Sequence, residues 1–123
     1  MTKSKWWQAA TATYAVLVLV ASVVPTAPKL APGHLDKVAH LCEYLLFAWL
    51  IMQALSMNAH LRMRAWLYAT GYGLFMELIQ SWLPWRSAEL GDALANALGA
   101  AVGVWLAARL ASVTHHSPLV TNH

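Results

Sequence analysis

The chain has 123 residues, 59% hydrophobic and 11% charged, with a mean hydropathy of +0.49 and a formal charge of +3. That balance excludes an ordinary water-soluble domain and predicts a membrane protein. The Lys and Arg residues are scattered among apolar runs with no stripe that could track a phosphate backbone, so nucleic acid is not an expected partner; the single Cys42 excludes an internal disulfide and reads as inert apolar packing.

Four segments approach the roughly 20 apolar residues that a spanning helix needs. In chain order they are Trp6 to Val24, Val38 to Met57, Ala65 to Leu83 and Ala93 to Leu110. Lys3 and Lys5 ahead of the first give it the look of a secretory leader. Pro25 and Pro28 spoil the small-residue cleavage pattern expected after a leader, so the segment reads as a retained helix. PTAPKLAPGHLD, with three Pro and one Gly, cannot continue a helix and reads as an exposed loop. The later connections, NAHLRMR and LPWRSAELG, are short, which forces neighbouring helices to run in opposite directions. The expected fold is all-α: a polytopic membrane protein built as an antiparallel four-transmembrane-helix bundle over residues 1–111, followed by a mobile cytoplasmic tail over 112–123. No internal repeat or second domain is visible.

Orientation follows from the cations near the ends of the spans. One side holds Lys3, Lys5, Arg62, Arg64 and Arg109 and the other Lys29, Lys37 and Arg86, which places both termini in the cytoplasm. The aromatics agree, with Trp6, Trp7 and Trp66 at the inner interface and Trp82 and Trp85 at the outer one. On that topology all five acids, Asp36, Glu43, Glu77, Glu89 and Asp92, belong to the outer half, and Glu43 and Glu77 lie inside apolar runs. A carboxylate in hydrocarbon is costly, so such residues face a protected interior and mark a site.

At a rise of about 1.5 Å per residue, Glu43 lies about 9 Å below Lys37, Glu77 about 9 Å below Leu83, and Asn96 about 6 Å below Asp92. Three helices thus deliver polar groups to one shallow layer. Residues three or four apart share a helical face. Asp36, His40 and Glu43 form one line, Lys37, His40 and Tyr44 an adjoining one, and Glu77 and Gln80 are a turn apart. Asp92, Asn96, Gly99 and Gly103 share a face of the last helix, where the glycine pair permits close helix approach, within one chain or between copies in a homo-oligomer.

DKVAH followed by Tyr44, then ELIQ with PWR, then GDALANALGAAVG, together resemble the VanZ-like membrane proteins over residues 36 to 103. The resemblance implies a small four-helix protein of the bacterial cytoplasmic (inner) membrane, in a family named after a factor linked to low-level teicoplanin resistance. Carried over residue by residue, the family positions are Asp36, Lys37, His40, Tyr44, Glu77, Gln80, Arg86, Asp92 and Asn96. PWR stands where family members often have a Pro-Gly-Arg turn.

Each residue also has a plain reading. His40 can be a satisfied structural histidine, and Glu43 and Glu77 neutral acids hydrogen-bonded in the bundle. Asp92 can cap the last helix, Arg86 can anchor in the headgroups, and Gly99 and Gly103 can serve packing alone. Two functions survive the weighing. In the first, the outer cluster binds a polar lipid headgroup or lipid-linked envelope precursor, with Arg86 and Lys37 on phosphate and Glu77, Gln80 and Asn96 on hydroxyl or amide groups. In the second, His40 and Glu77 act as acid and base on a lipid phosphate or glycan, and a divalent metal would draw on His40, Glu43 and Glu77. There is no HExxH or paired-cysteine signature, so neither a metal nor another cofactor is expected. A proton-coupled transporter would require an oligomer, because four short helices leave little room for alternating access.

Overall fold

The computed structural model describes residues 2–25, 33–55, 58–85 and 89–115; for residues 33–36, 59 and 113–115 it describes the backbone alone. Helix α1 is Lys3–Val23 and α2 is Gly33–Ala54. A single 3-10 turn, Ala59–Leu61, leads directly into α3, Arg62–Ser81, and α4 is Leu90–His115. The described residues contain no strand.

Each helix starts several residues ahead of its apolar run, and α4 also ends beyond its own. Asp36 belongs to α2 rather than to the preceding loop, Arg62 and Arg64 belong to the first turn of α3, and α4 continues through residues 112–115 of the expected tail. Hydropathy marks where a segment stops being apolar, whereas a helix stops where its backbone loses partners. The rest of the tail, residues 116–123, lies outside the described residues.

The ends of α1 show those partners. Thr2 caps the start, its hydroxyl oxygen accepting from the Lys5 amide at 3.3 Å. At the other end Pro25 forbids continuation, and the carbonyls of Ser22 and Val23 accept from Gln80 Nε2 at 3.2 Å and Trp85 Nε1 at 2.8 Å. Side chains of other parts of the chain therefore close α1.

Helices α2 and α4 make the most intimate contact. A Cβ on Gly99 would run into the Leu41 carbonyl and one on Gly103 into the Leu45 carbonyl, so backbone touches backbone through glycine, and the contacts advance together along both helices. The glycine pair is thus used within the chain. Against α2, contacts rise along α1 as they fall along its partner: the Thr11 hydroxyl, shared with the Trp7 carbonyl of its own helix at 2.8 Å, lies 3.1 Å from the Leu50 carbonyl, and Tyr14 Oη donates to the Glu43 carbonyl at 2.7 Å. Tyr72 of α3 likewise donates to the Ala15 carbonyl of α1.

Phe47 sits at the centre of an aromatic group, with the rings of Tyr14, Tyr44 and Tyr72 at 5.7, 5.9 and 5.1 Å. Around it pack Ala48, Ile51 and Met52 of α2, Ala69 and Met76 of α3, and Ala100, Val104 and Ala107 of α4. From α1 only Val18 is fully buried.

Beside this apolar core several polar side chains are buried, while large apolar ones face outward. Asp92 and Asn96 are 2% and 1% exposed while Leu17, Leu94 and Leu98 are 60%, 63% and 58% exposed. An exterior this apolar suits hydrocarbon rather than water. Lys3–Val23 and the Leu90–Ser112 part of α4 are long and apolar enough to cross a membrane. Helices α2 and α3 have similar lengths, 22 and 20 residues. Their apolar character is diluted by Lys37, His40 and Glu43 on one and Arg62, Arg64, Glu77 and Gln80 on the other.

One packing expectation is corrected here. Cys42 is exposed rather than buried, because α2 turns Leu41, Tyr44 and Leu45 toward its neighbours and carries Cys42 on the opposite side.

Candidate functional site

The end of the molecule where α2 and α4 begin and α3 finishes collects the polar side chains. Lys37 and His40 are one turn apart on α2 and face the first two turns of α4. Lys37 Nζ lies 2.8 Å from Glu89 Oε2 and 3.3 Å from Asp92 Oδ1. His40 Nδ1 is 3.2 Å from Asn96 Oδ1, and its Nε2 is 3.7 Å from Asp92 Oδ2. With a carbonyl oxygen opposite it, Nδ1 is the nitrogen that donates to Asn96. Asp92 thus bridges two α2 side chains, one with each oxygen.

Asp92 does not cap α4, as one plain reading expected. The helix begins at Leu90, Asp92 falls within its first turn, and its amide donates to the Glu89 carbonyl at 3.0 Å. A carboxylate there is favoured by the helix dipole, and its oxygens are free to face Lys37 and His40. Gly73 eases the approach, since a Cβ there would press on the Tyr44 ring and Asn96, whereas one on Gly91 would displace the flexible ammonium end of Lys37.

Helix α3 supplies the third wall. Glu77, 9% exposed, accepts the Glu89 amide at 3.3 Å and interacts electrostatically with both Asp92 and His40. Tyr44, 1% exposed, packs against Gly73 beside Asn96. Lys37, His40, Tyr44, Glu77, Asp92 and Asn96 therefore meet in one cluster. Gln80 gives its amide to the Ser22 carbonyl and ties α1 to α3. Glu43 accepts the Tyr14 hydroxyl at its backbone carbonyl. The backbone of Asp36 lies on α2, and Arg86 lies outside the described residues.

The cluster has a buried floor and an open rim. The Asp92 side chain is 3% exposed, whereas those of Lys37 and Glu89 are 42% and 51% exposed. Lys37 precedes the apolar run of α2, and its hydrogen bond to Glu89, followed by those to Asp92, holds the ammonium above its usual 10.5. Among the described residues no three His, Cys, Asp or Glu side chains converge as a metal would require.

Glu89 is the main residue that sequence reasoning passed over. It stands three positions before Asp92, so a helix start nearby would bring both toward Lys37, but its long-range partner is set by packing alone. Gly73 and Gly91 were passed over for the same reason, since each matters through a neighbour distant in sequence.

A helical chain with an apolar exterior, two helices able to cross a membrane and a polar cluster sunk between its helices belongs to the class of small membrane-type helical proteins with an internal polar site. The VanZ/LLP1 family model matches residues 2–111, and the chain belongs to that family. No curated protein and no solved structure matches it.

Proposed function

We propose that this protein is an integral membrane component of the bacterial cell envelope that binds a polar lipid headgroup, or the headgroup of a lipid-linked cell-wall precursor, through the cluster at the α2–α4 start. In this reading all four helices span the inner membrane as an antiparallel bundle with both termini in the cytoplasm, and the cluster opens to the outer side. The observation that carries it is the layering of the site: a prebuilt floor of Asp92, Asn96 and His40 under a rim where Lys37 and Glu89 remain reachable. A headgroup phosphate would exchange for one carboxylate on Lys37, and hydroxyl or amine groups would take up the carboxylate released. Arg86 is a second phosphate contact in this proposal, and a contribution to glycopeptide (teicoplanin) resistance is its physiological extension.

The acid–base alternative needs His40 and Glu77 to address one substrate atom. His40 directs its ring nitrogens to Asn96 and Asp92 while Glu77 receives the Glu89 amide, so no observation favours that reading over binding.

Native mass spectrometry of the protein released from gentle detergent tests the binding reading. Wild type is expected to retain a lipid or lipid-linked molecule at a fixed stoichiometry, and Lys37→Ala and Arg86→Ala to lose it while remaining folded. Equal retention by the variants would remove the proposal.

A further inference from the structure

A second feature lies at the opposite end of the molecule and plays no part in the polar cluster. Between the start of α3 and the later part of α4 is an apolar cleft of about 410 Å³, lined by Arg62, Met63, Trp66, Ala101, Val104 and Trp105. That volume is within the range of small-molecule sites, of about 300–1,000 Å³. Its walls are held in place: Trp66 donates its indole N–H to the Ala97 carbonyl at 3.0 Å, and Val104 is 7% exposed. Its outer wall, Trp105, is 57% exposed and carries the Arg109 guanidinium 5.7 Å from its ring centroid.

We propose that this cleft seats one acyl chain of an anionic glycerophospholipid, with the lipid phosphate held between Arg62 and Arg109. The apolar walls match a hydrocarbon chain and nothing polar. Arg62 lines the cleft and Arg109 lies against its Trp105 wall, so both bring positive charge to the cleft that complements an anionic headgroup, and a guanidinium can grip phosphate with two N–H groups. Arg64, Lys3 and Lys5 belong to the same end, which gives it the basic character of a surface facing anionic lipid. The cleft lies at the other end of the helices from the Lys37–Asp92 cluster; this inference rests on the membrane setting proposed above but not on that site.

Tryptophan quenching by brominated lipids in bilayers of the full chain tests it, with dibrominated phosphatidylglycerol compared against dibrominated phosphatidylcholine at equal mole fraction. Wild type is expected to prefer the phosphatidylglycerol by about fivefold or more, the scale of one lysine or arginine near an anionic lipid. Arg62→Gln combined with Arg109→Gln should lower the preference by about fivefold or more, to the level set by Arg64, Lys3 and Lys5. Ala101→Phe fills the cleft from an exposed position on α4 and leaves every cation in place; it too should lower the preference by a similar factor, and Met63→Phe serves the same purpose from α3. Equal quenching by the two lipids in wild type would overturn the proposal. So would a preference undiminished in either cleft-filling variant, because it would then belong to surface charge alone.

Discussion

Helices α2 and α4 meet through glycine, whereas α1 is attached through hooks. On the first seam Gly99 and Gly103 let backbone touch the Leu41 and Leu45 carbonyls, and the same close approach brings Lys37 and His40 within reach of Asp92 and Asn96. Helix α1 buries one residue fully, Val18, and is held where other groups meet backbone carbonyls: Tyr72 on Ala15, Gln80 on Ser22, Trp85 on Val23, and its own Thr11 and Tyr14 on Leu50 and Glu43. In the membrane setting proposed above there is no hydrophobic drive between helices, so association falls to small-residue packing and to interhelical hydrogen bonds. This chain uses the two devices in different places. The tight seam carries the site, and the hooked helix borders it.

The largest effect should come from closing the glycine contact. Gly99→Leu places a side chain where the Leu41 backbone stands, and forcing α2 from α4 should cost about 3 kcal/mol or more in an unfolding titration in mixed micelles. Gly71, with nothing within 4 Å of a would-be Cβ, should accept Ala with little change and serves as the control.

Removing the floor of the site comes next. Asp92→Ala leaves Lys37 with Glu89 as its carboxylate partner in this pair and withdraws the anion facing His40, which should lower stability by about 1–3 kcal/mol in the same titration. Glu89→Ala removes the exposed half of the Lys37 pairing and should cost under about 1 kcal/mol. A larger loss for Glu89 than for Asp92 would reverse the assignment of floor and rim. Where α3 holds the hooked helix, Tyr72→Phe deletes the bond to Ala15 and should cost about 1 kcal/mol, the usual net value of one such hydrogen bond.

The smallest effect is one of pH. The folded-state value of Lys37 is raised, so its pairing stabilises fully below the usual lysine value of 10.5 and is lost as pH climbs through the higher folded value. Melting curves of wild type and Lys37→Met should therefore converge in the alkaline range above 10.5 and stay apart below it.

Much of the site was legible because placing a charge in an apolar run is costly and helical spacing gathers such charges on one face. Glu77 follows from that rule; His40, Asp92 and Asn96 follow from helical spacing at one shallow depth, Tyr44 from its place one turn from His40 and in the family motif, and the glycine seam from small-residue packing. Glu89 was hidden because it lies outside any apolar run and ahead of α4, on no shared helical line with the other polar groups. The hooks of Tyr14 and Tyr72 were hidden because every residue offers a carbonyl, and only packing selects which one is used. The outward turn of Cys42 escaped because the residues beside it are apolar on every side, and the early start of α2 escaped because residues 33–37 precede the apolar run, where hydropathy gives no sign of a helix.

The convergence of α2 and α4 side chains is tested most directly by a double-mutant cycle between His40 and Asn96, residues 56 apart in sequence and 3.2 Å apart between Nδ1 and Oδ1. Unfolding free energies of His40→Ala, Asn96→Ala and the double variant in lipid bilayers should show a coupling of about 0.5 kcal/mol or more. Strict additivity of the two substitutions would contradict a shared cluster and, with it, the site built on it.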